Sequence, residues 1–467
     1  MIESSGSAPA AGAGSETPGT GWPGAKAVAA AAAALTVAGI LIVHPHGIIA
    51  FAWYYCLWLG VMYVLHREEL QDFALAFVVN SAFVAVYFLV QIRIFPESYG
   101  TTSPLGAQTD DSYFFSMVAD AIPTYLEVRD GYFLYSHPFT SLVRSVTLHV
   151  IDHPMDAIFF QSGVAAMLAT FSKLLMFQLS SSERLARTVF VFAVTCPFLM
   201  MNGGVIFIRD TFTAALFAYS LTCFNDRRFV LAAVAMALQM TLRLGTALML
   251  LPAYAVIYWE ELASFARRHW KLVGAATLAL VAWAIRLLQS DLDLTDLLVG
   301  TSEGGGLNIV GREIFEGLIA NPGSNVLLLK IQEQPFAIKL LLNAGYIFLY
   351  PSLSPKEAFA GPLLDVRGVV LNLFVPIYAF WLNAWFIAGA VSKALVTRKQ
   401  REIVVAFFVT LILIGTYSLQ TRHKTILYPL YYFVVAIGFV GAPPEARRIG
   451  YLASGLLMAF QLVMMSR

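Results

Sequence analysis

Long apolar stretches recur along the whole chain, separated mostly by short turns rich in Lys and Arg. About 20 apolar residues suffice for a helix to cross the hydrocarbon core of a bilayer. Inside hydrocarbon, a helix satisfies all of its own backbone hydrogen bonds, which an open strand cannot do. The pattern therefore predicts an all-α polytopic membrane protein of about 13 transmembrane helices. They are expected near 27–43, 48–65, 73–94, 157–178, 188–206, 211–224, 229–242, 244–258, 272–289, 371–391, 403–420, 425–441 and 449–466. Composition agrees: 58% of residues are hydrophobic and 13% charged, and the mean hydropathy is +0.71. Lys plus Arg (30) nearly balances Asp plus Glu (29), and no basic domain stands out, so nucleic acid is not an expected partner. Cys56, Cys196 and Cys223 all lie in apolar stretches without a CxxC pair, which gives no disulfide framework and no thiolate metal site.

Residues 1–26, mostly Ala, Gly, Ser, Thr and Pro, read as a disordered cytoplasmic tail, and 27–467 as a single integral membrane domain. Alternate threading from a cytoplasmic N-terminus puts the basic turns at 66–69, 182–187, 225–228, 266–271, 398–401 and 446–448 on one side. This is the positive-inside pattern. Two long loops, 95–156 and 290–370, then face outward and carry amphipathic or re-entrant helices. The apolar run Pro335–Pro351 is read as re-entrant or interfacial, because a full crossing would move 398–401 outside.

The outer ends of the spans carry cations that the positive-inside bias does not explain. Arg93 ends the third span, Arg209-Asp210 opens the sixth, and Arg243 sits between the seventh and eighth. Arg286 lies near the outer end of the ninth, and Arg422-His423-Lys424 forms the turn between the eleventh and twelfth. A cation held in hydrocarbon costs about 2.5 kcal/mol or more, so such residues usually face a bundle interior or a polar cavity. Singly, each has an ordinary reading: Arg93 and Arg286 as snorkelling side chains, Arg209-Asp210 as a local ion pair at a helix start. Together they suggest a shared anionic ligand, with Arg supplying a fork suited to phosphate oxygens.

Loop 95–156 contains Gln108-Thr109-Asp110-Asp111-Ser112-Tyr113, followed by apolar residues at helical spacing through Leu126. Asp110 and Asp111 are candidates for a general base, and either also suits an N-cap of that surface helix. Tyr132–Pro138, with His137, reads as an interface belt or a sugar-stacking platform. In the second loop, Asp291, Asp293 and Asp296 leave a divalent cation, Mg or Mn, as an option. No other cofactor and no defined metal site is expected.

The block Gly204-Val205-Ile206-Phe207-Ile208-Arg209-Asp210-Thr211-Phe212, the turn Asp226-Arg227-Arg228 and Leu242-Arg243-Leu244-Gly245 resemble EpsG-like and Wzy-like bacterial polysaccharide polymerases. The Asp-Asp-x-Tyr loop and the basic turn before Tyr428-Pro429 resemble the wider group of GT-C glycosyltransferases. The resemblance implies an enzyme of the bacterial inner membrane. It would transfer a sugar or oligosaccharide from a polyprenyl-(pyro)phosphate carrier to a glycan acceptor at the outer face. Asp110, Asp111, Arg209 and Asp210 would be catalytic; Tyr113, His137, Arg243, Arg286, Arg422, His423 and Lys424 would bind substrate. The competing class is a multi-pass transporter or flippase of lipid-linked glycans, for which charges near the membrane midplane are expected.

Overall fold

The computed structural model describes residues 24–94, 154–201, 209–242, 244–268, 271, 334–349, 366–392, 394–395, 397–417 and 421–466. Every element among them is helical. Residues 1–23 of the expected tail, 95–153 of the first long loop and 290–333 of the second lie outside the described residues, whereas 25–26 belong to the first helix and 154–156 to a later one.

The first half begins with α1 (Ala25–Val43), α2 (Gly47–His66) and α3 (Leu70–Ile94). Segment Gly47–Ile94 is apolar over 48 residues. As one straight helix it would be about 72 Å long, more than twice a bilayer core. It reverses instead at the 3-10 turn Arg67–Glu69, where three consecutive charged residues cannot enter hydrocarbon. Helices α1 and α3 run side by side in the same direction, and Thr36 Oγ1 donates to Ala32 O in its own helix at 2.8 Å. Next come α4 (Pro154–Ser180) and α5 (Glu183–Thr195). Ser182 caps α5, its side chain accepting from Leu185 N at 3.4 Å. That helix stops before Cys196-Pro197 because proline disfavours helical backbone in the residue preceding it.

Helix α6 (Arg209–Asn225) lies along α4 in the same direction. Phe171 and Tyr219 rings meet at 4.8 Å, and Gln178 Nε2 reaches Asp226 Oδ1 at 2.8 Å. Trp58 of α2 fills the gap at their other end, donating to Phe160 O at 3.1 Å and facing the Phe212 ring. Helices α7 (Phe229–Leu242), α8 (Leu244–Ile257) and α9 (Trp259–Arg268) follow.

The second half contains α10 (Phe336–Leu349), α11 (Val375–Val391), α12 (Arg398–Tyr417), a 3-10 helix (Thr421–Leu427), α13 (Tyr428–Gly441) and α14 (Pro444–Ser466). Val366–Val369 and a π-helical turn, Val370–Phe374, lead into α11. Helices α11 and α13 cross closely at Gly389 and Gly438.

Five segments are long and apolar enough to cross a membrane: Ala25–Val43, Gly47–Ile94, Ile158–Ser180, Val370–Val391 and Lys424–Gly441. Phe229–Met240, Ala247–Ile257 and Ile338–Leu349 are apolar but shorter. Large apolar side chains stay exposed along single faces, as Leu452, Leu456 and Phe460 do on α14, which suits a lipid surround.

Near the Arg67–Glu69 turn a buried cation is paired with two carboxylates. Lys173 Nζ, deep on α4, meets Glu69 Oε2 at 2.7 Å and Asp72 Oδ2 at 2.5 Å. Lys173→Met is expected to destabilise the protein by about 3 kcal/mol, because two half-buried carboxylates lose their counter-ion. The thermal midpoint of the detergent-solubilised protein reports this. Adding Glu69→Gln and Asp72→Asn should restore most of the loss, and an unchanged midpoint in the single variant contradicts the assignment.

Candidate functional site

Helix α12 and helix α13 are joined by the 3-10 helix Thr421–Leu427, which carries Arg422-His423-Lys424. Pro429, in the first turn of α13, suits a helix start because its missing N–H has no intrahelical partner there. The 3-10 helix packs against α6, α10, α12 and α13. Helix α6 begins at Arg209, with Asp210 in its first turn and 1% exposed. A carboxylate there is favoured by the positive end of the helix dipole. Two of the cation-bearing blocks singled out in the sequence, 209–210 and 422–424, thus lie on elements in direct contact.

Lys424 is 2% exposed. Its Nζ donates to Phe348 O at 2.5 Å and sits 5.2 Å from the centroids of both the Phe348 and Tyr431 rings. Phe348 is the penultimate residue of α10, so its carbonyl is one that the helix leaves without an internal partner. An ammonium there both satisfies that oxygen and complements the negative end of the helix dipole. The two ring faces add cation–π attraction. Among the described residues, no carboxylate pairs with Lys424.

The walls around this ammonium are aromatic and polar. Tyr428, Tyr431 and Tyr432 are all buried on the first turn and a half of α13. Tyr431 OH donates to Asn383 Oδ1 on α11 at 2.6 Å, and Phe386 stacks on the Tyr431 ring at 5.2 Å. Asn343 of α10 donates through Nδ2 to Gly415 O of α12 at 3.0 Å, fixing the two helices together. Asn343 Oδ1, Thr410 Oγ1 and Thr425 Oγ1 are buried and make no hydrogen bond. Buried polar groups are ordinarily paired, so these three mark unused hydrogen-bonding capacity on the elements around the turn.

Lys424 therefore has a role that the sequence does not reveal. A candidate substrate contact in the sequence, it ties the 3-10 helix to the end of α10. For Arg209, Arg422 and His423 the structure describes the backbone only. Asp110, Asp111, Tyr113, His137, Arg243 and Arg286 lie outside the described residues, as do Asp291, Asp293 and Asp296.

Sequence reasoning missed Asn343 and the Phe348 carbonyl. Asn343 had a signal, being one of two polar residues, with Lys339, in the otherwise apolar run Phe336–Leu349. A backbone carbonyl has none. The run itself enters beside the end of α12, through Asn343 and Gly415. Val366 N, where the chain is next described, donates to Gln91 Oε1 near the end of α3 at 3.1 Å.

Compared with models of known protein families, with curated proteins and with solved structures, the chain matches none.

Proposed function

We propose that the protein is a membrane glycosyltransferase or polymerase acting on a polyprenyl-(pyro)phosphate-linked sugar or oligosaccharide in polysaccharide or glycolipid synthesis. The observation that carries this reading is the packing of the turn Arg422-His423-Lys424 onto the helix that starts at Arg209. Two elements that each carry a basic block, about 210 residues apart in the chain, pack together in an apolar bundle, as they would to share a counter-ion. The lipid carrier offers one, a phosphate at headgroup level.

In this reading the thirteen-span topology holds, and the site faces outward from a bacterial inner membrane. The acceptor hydroxyl gives its proton to Asp110 or Asp111, and its oxygen attacks the anomeric carbon as the carbon–phosphate oxygen bond breaks. The phosphate leaves with the bonding electrons, and the anomeric centre is inverted. Arg209, Arg243 and Arg422 stabilise the charge on the leaving phosphate. Tyr113, His137, Arg286 and His423 contact the sugar or the carrier. Lys424 contributes by holding the turn in place, since its ammonium is engaged by Phe348.

The full-length protein in proteoliposomes, supplied with a polyprenyl-pyrophosphate-linked oligosaccharide, is expected to release polyprenyl pyrophosphate and to lengthen the glycan. Movement of the intact lipid-linked donor across the bilayer, with neither product formed, would instead establish the flippase reading.

A further inference from the structure

Helix α9 lies in a part of the chain that hydropathy marks only as the start of a basic turn. Over its ten residues, the register places Trp259, Leu262 and Ala263 along one arc and Glu260, Glu261, Ser264, Arg267 and Arg268 along the opposite one. It lies outside the segments long and apolar enough to cross a membrane. Trp259 is nonetheless 63% exposed and Leu262 40%. A tryptophan left uncovered beside a polar arc is the arrangement of a helix lying in the interface.

The charges of α9 are treated unequally. Its two acids are engaged by the basic start of α12: Arg398 Nη1 pairs with Glu260, and Lys399 Nζ meets Glu261 Oε1 at 3.0 Å. Lys399 also donates to Ile257 O, the last residue of α8, and lies 4.8 Å from the Tyr258 ring centroid. The first turn of α9 is thereby fixed and neutralised. Its last turn carries Arg267 and Arg268, both exposed and without a carboxylate partner among the described residues. The Nε of Arg267 donates to Ala263 O at 3.3 Å. Arg401, one turn along α12, is also exposed.

We infer that α9 is a lipid-reading helix: Trp259 and Leu262 enter the acyl boundary, and Arg267 and Arg268 bind the phosphates of anionic phospholipids. The complementarity is specific in sign. The helix's acids are cancelled within the protein and its terminal cations are not, so the exposed polar arc is positive above an apolar one. This inference is independent of the glycan-transfer reading.

The test uses the full chain in nanodiscs of phosphatidylcholine with brominated phosphatidylglycerol, or with brominated phosphatidylcholine, at equal bromine content. The quenching at Trp259 is the difference between the wild type and Trp259→Phe. It is expected to be stronger with the brominated anionic lipid, with an enrichment of about fivefold for each arginine. Arg267→Gln combined with Arg268→Gln should abolish the preference while quenching by phosphatidylcholine remains, and Arg267→Lys with Arg268→Lys should keep most of it. Raising the salt should weaken it, and soluble glycerol phosphate should not compete. Equal quenching by the two lipids in the wild type overturns the proposal. So does a preference that survives in the double glutamine variant, or a Trp259→Phe trace identical to wild type.

Discussion

Arg209→Ala and Asp111→Asn are each expected to remove glycan transfer while leaving the protein inserted and monodisperse. The arginine opens α6, against which the 3-10 helix carrying Arg422 is packed. Losing one preorganised charge at a leaving phosphate typically costs about 100- to 1,000-fold in kcat. Losing a general base costs a similar or larger factor, about 100- to 10,000-fold. The two losses differ in kind: Asn at 111 is close in shape to Asp and suits an N-cap equally well, but it cannot take up the proton. The assay is carrier release from a lipid-linked donor in proteoliposomes, with thermal midpoint and size-exclusion profile measured on the same samples. If Asp111→Asn is active and Asp110→Asn is not, the base is Asp110. Full activity in Arg209→Ala, or in both aspartate variants, removes the corresponding residue from the mechanism.

The largest effect on folding is expected at Gly438. A Cβ there would fall inside van der Waals contact of Trp385 O and 2.8 Å from Gly389 N, both backbone atoms of α11. Backbone cannot rotate out of the way as a side chain can, so Gly438→Val should push α11 and α13 apart. Overpacking of this kind is expected to cost about 3 kcal/mol or more. Tyr431 OH and Asn383 Oδ1 also bridge these two helices at 2.6 Å, and that bond would be lost with the crossing. The variant should therefore aggregate or lose its cooperative thermal transition. Gly455→Ala on α14, where nothing lies within 4 Å of the added atom, is the control and should be neutral or slightly stabilising. A well-behaved Gly438→Val with wild-type stability would show that the crossing is looser than described.

The all-helical framework and several of its long apolar helices were legible from hydropathy, and their polar ends were not. The apolar stretch read as 73–94 is the helix Leu70–Ile94, and that read as 425–441 contains Tyr428–Gly441. The basic stretch 182–187, read as a turn, is mostly the first turn of α5, and Arg398–Arg401 opens α12. Hydropathy follows the part of a helix suited to hydrocarbon, whereas hydrogen bonding continues into the interface, where Ser182 and Glu183 favour a helix start. For the same reason α9 was hidden: Glu260, Glu261, Arg267 and Arg268 lower the mean of a segment whose signal is its periodicity.

At the candidate site, Arg422-His423-Lys424 was legible because three basic groups between two apolar helices conflict with their surroundings. That these residues lie against the helix of Arg209 was not, because contacts between distant segments leave no local trace. The partner of Lys424 was beyond reach for a different reason: it is a main-chain oxygen, and Phe348 would supply it whatever its side chain.

The 3-10 helix also sets how late in synthesis this part of the bundle can close. Lys424 meets a carbonyl 76 residues earlier in the chain, and its helix rests on one that begins at Arg209. A chain still being synthesised passes through every state with α1–α6 in place and this turn absent. Nascent and prematurely terminated chains thus carry the helix of Arg209 without the turn that packs against it. On the glycan-transfer reading proposed above, competence would then arrive late, after nearly all of the bundle has been laid down, and partial products of translation would leave lipid-linked precursors untouched.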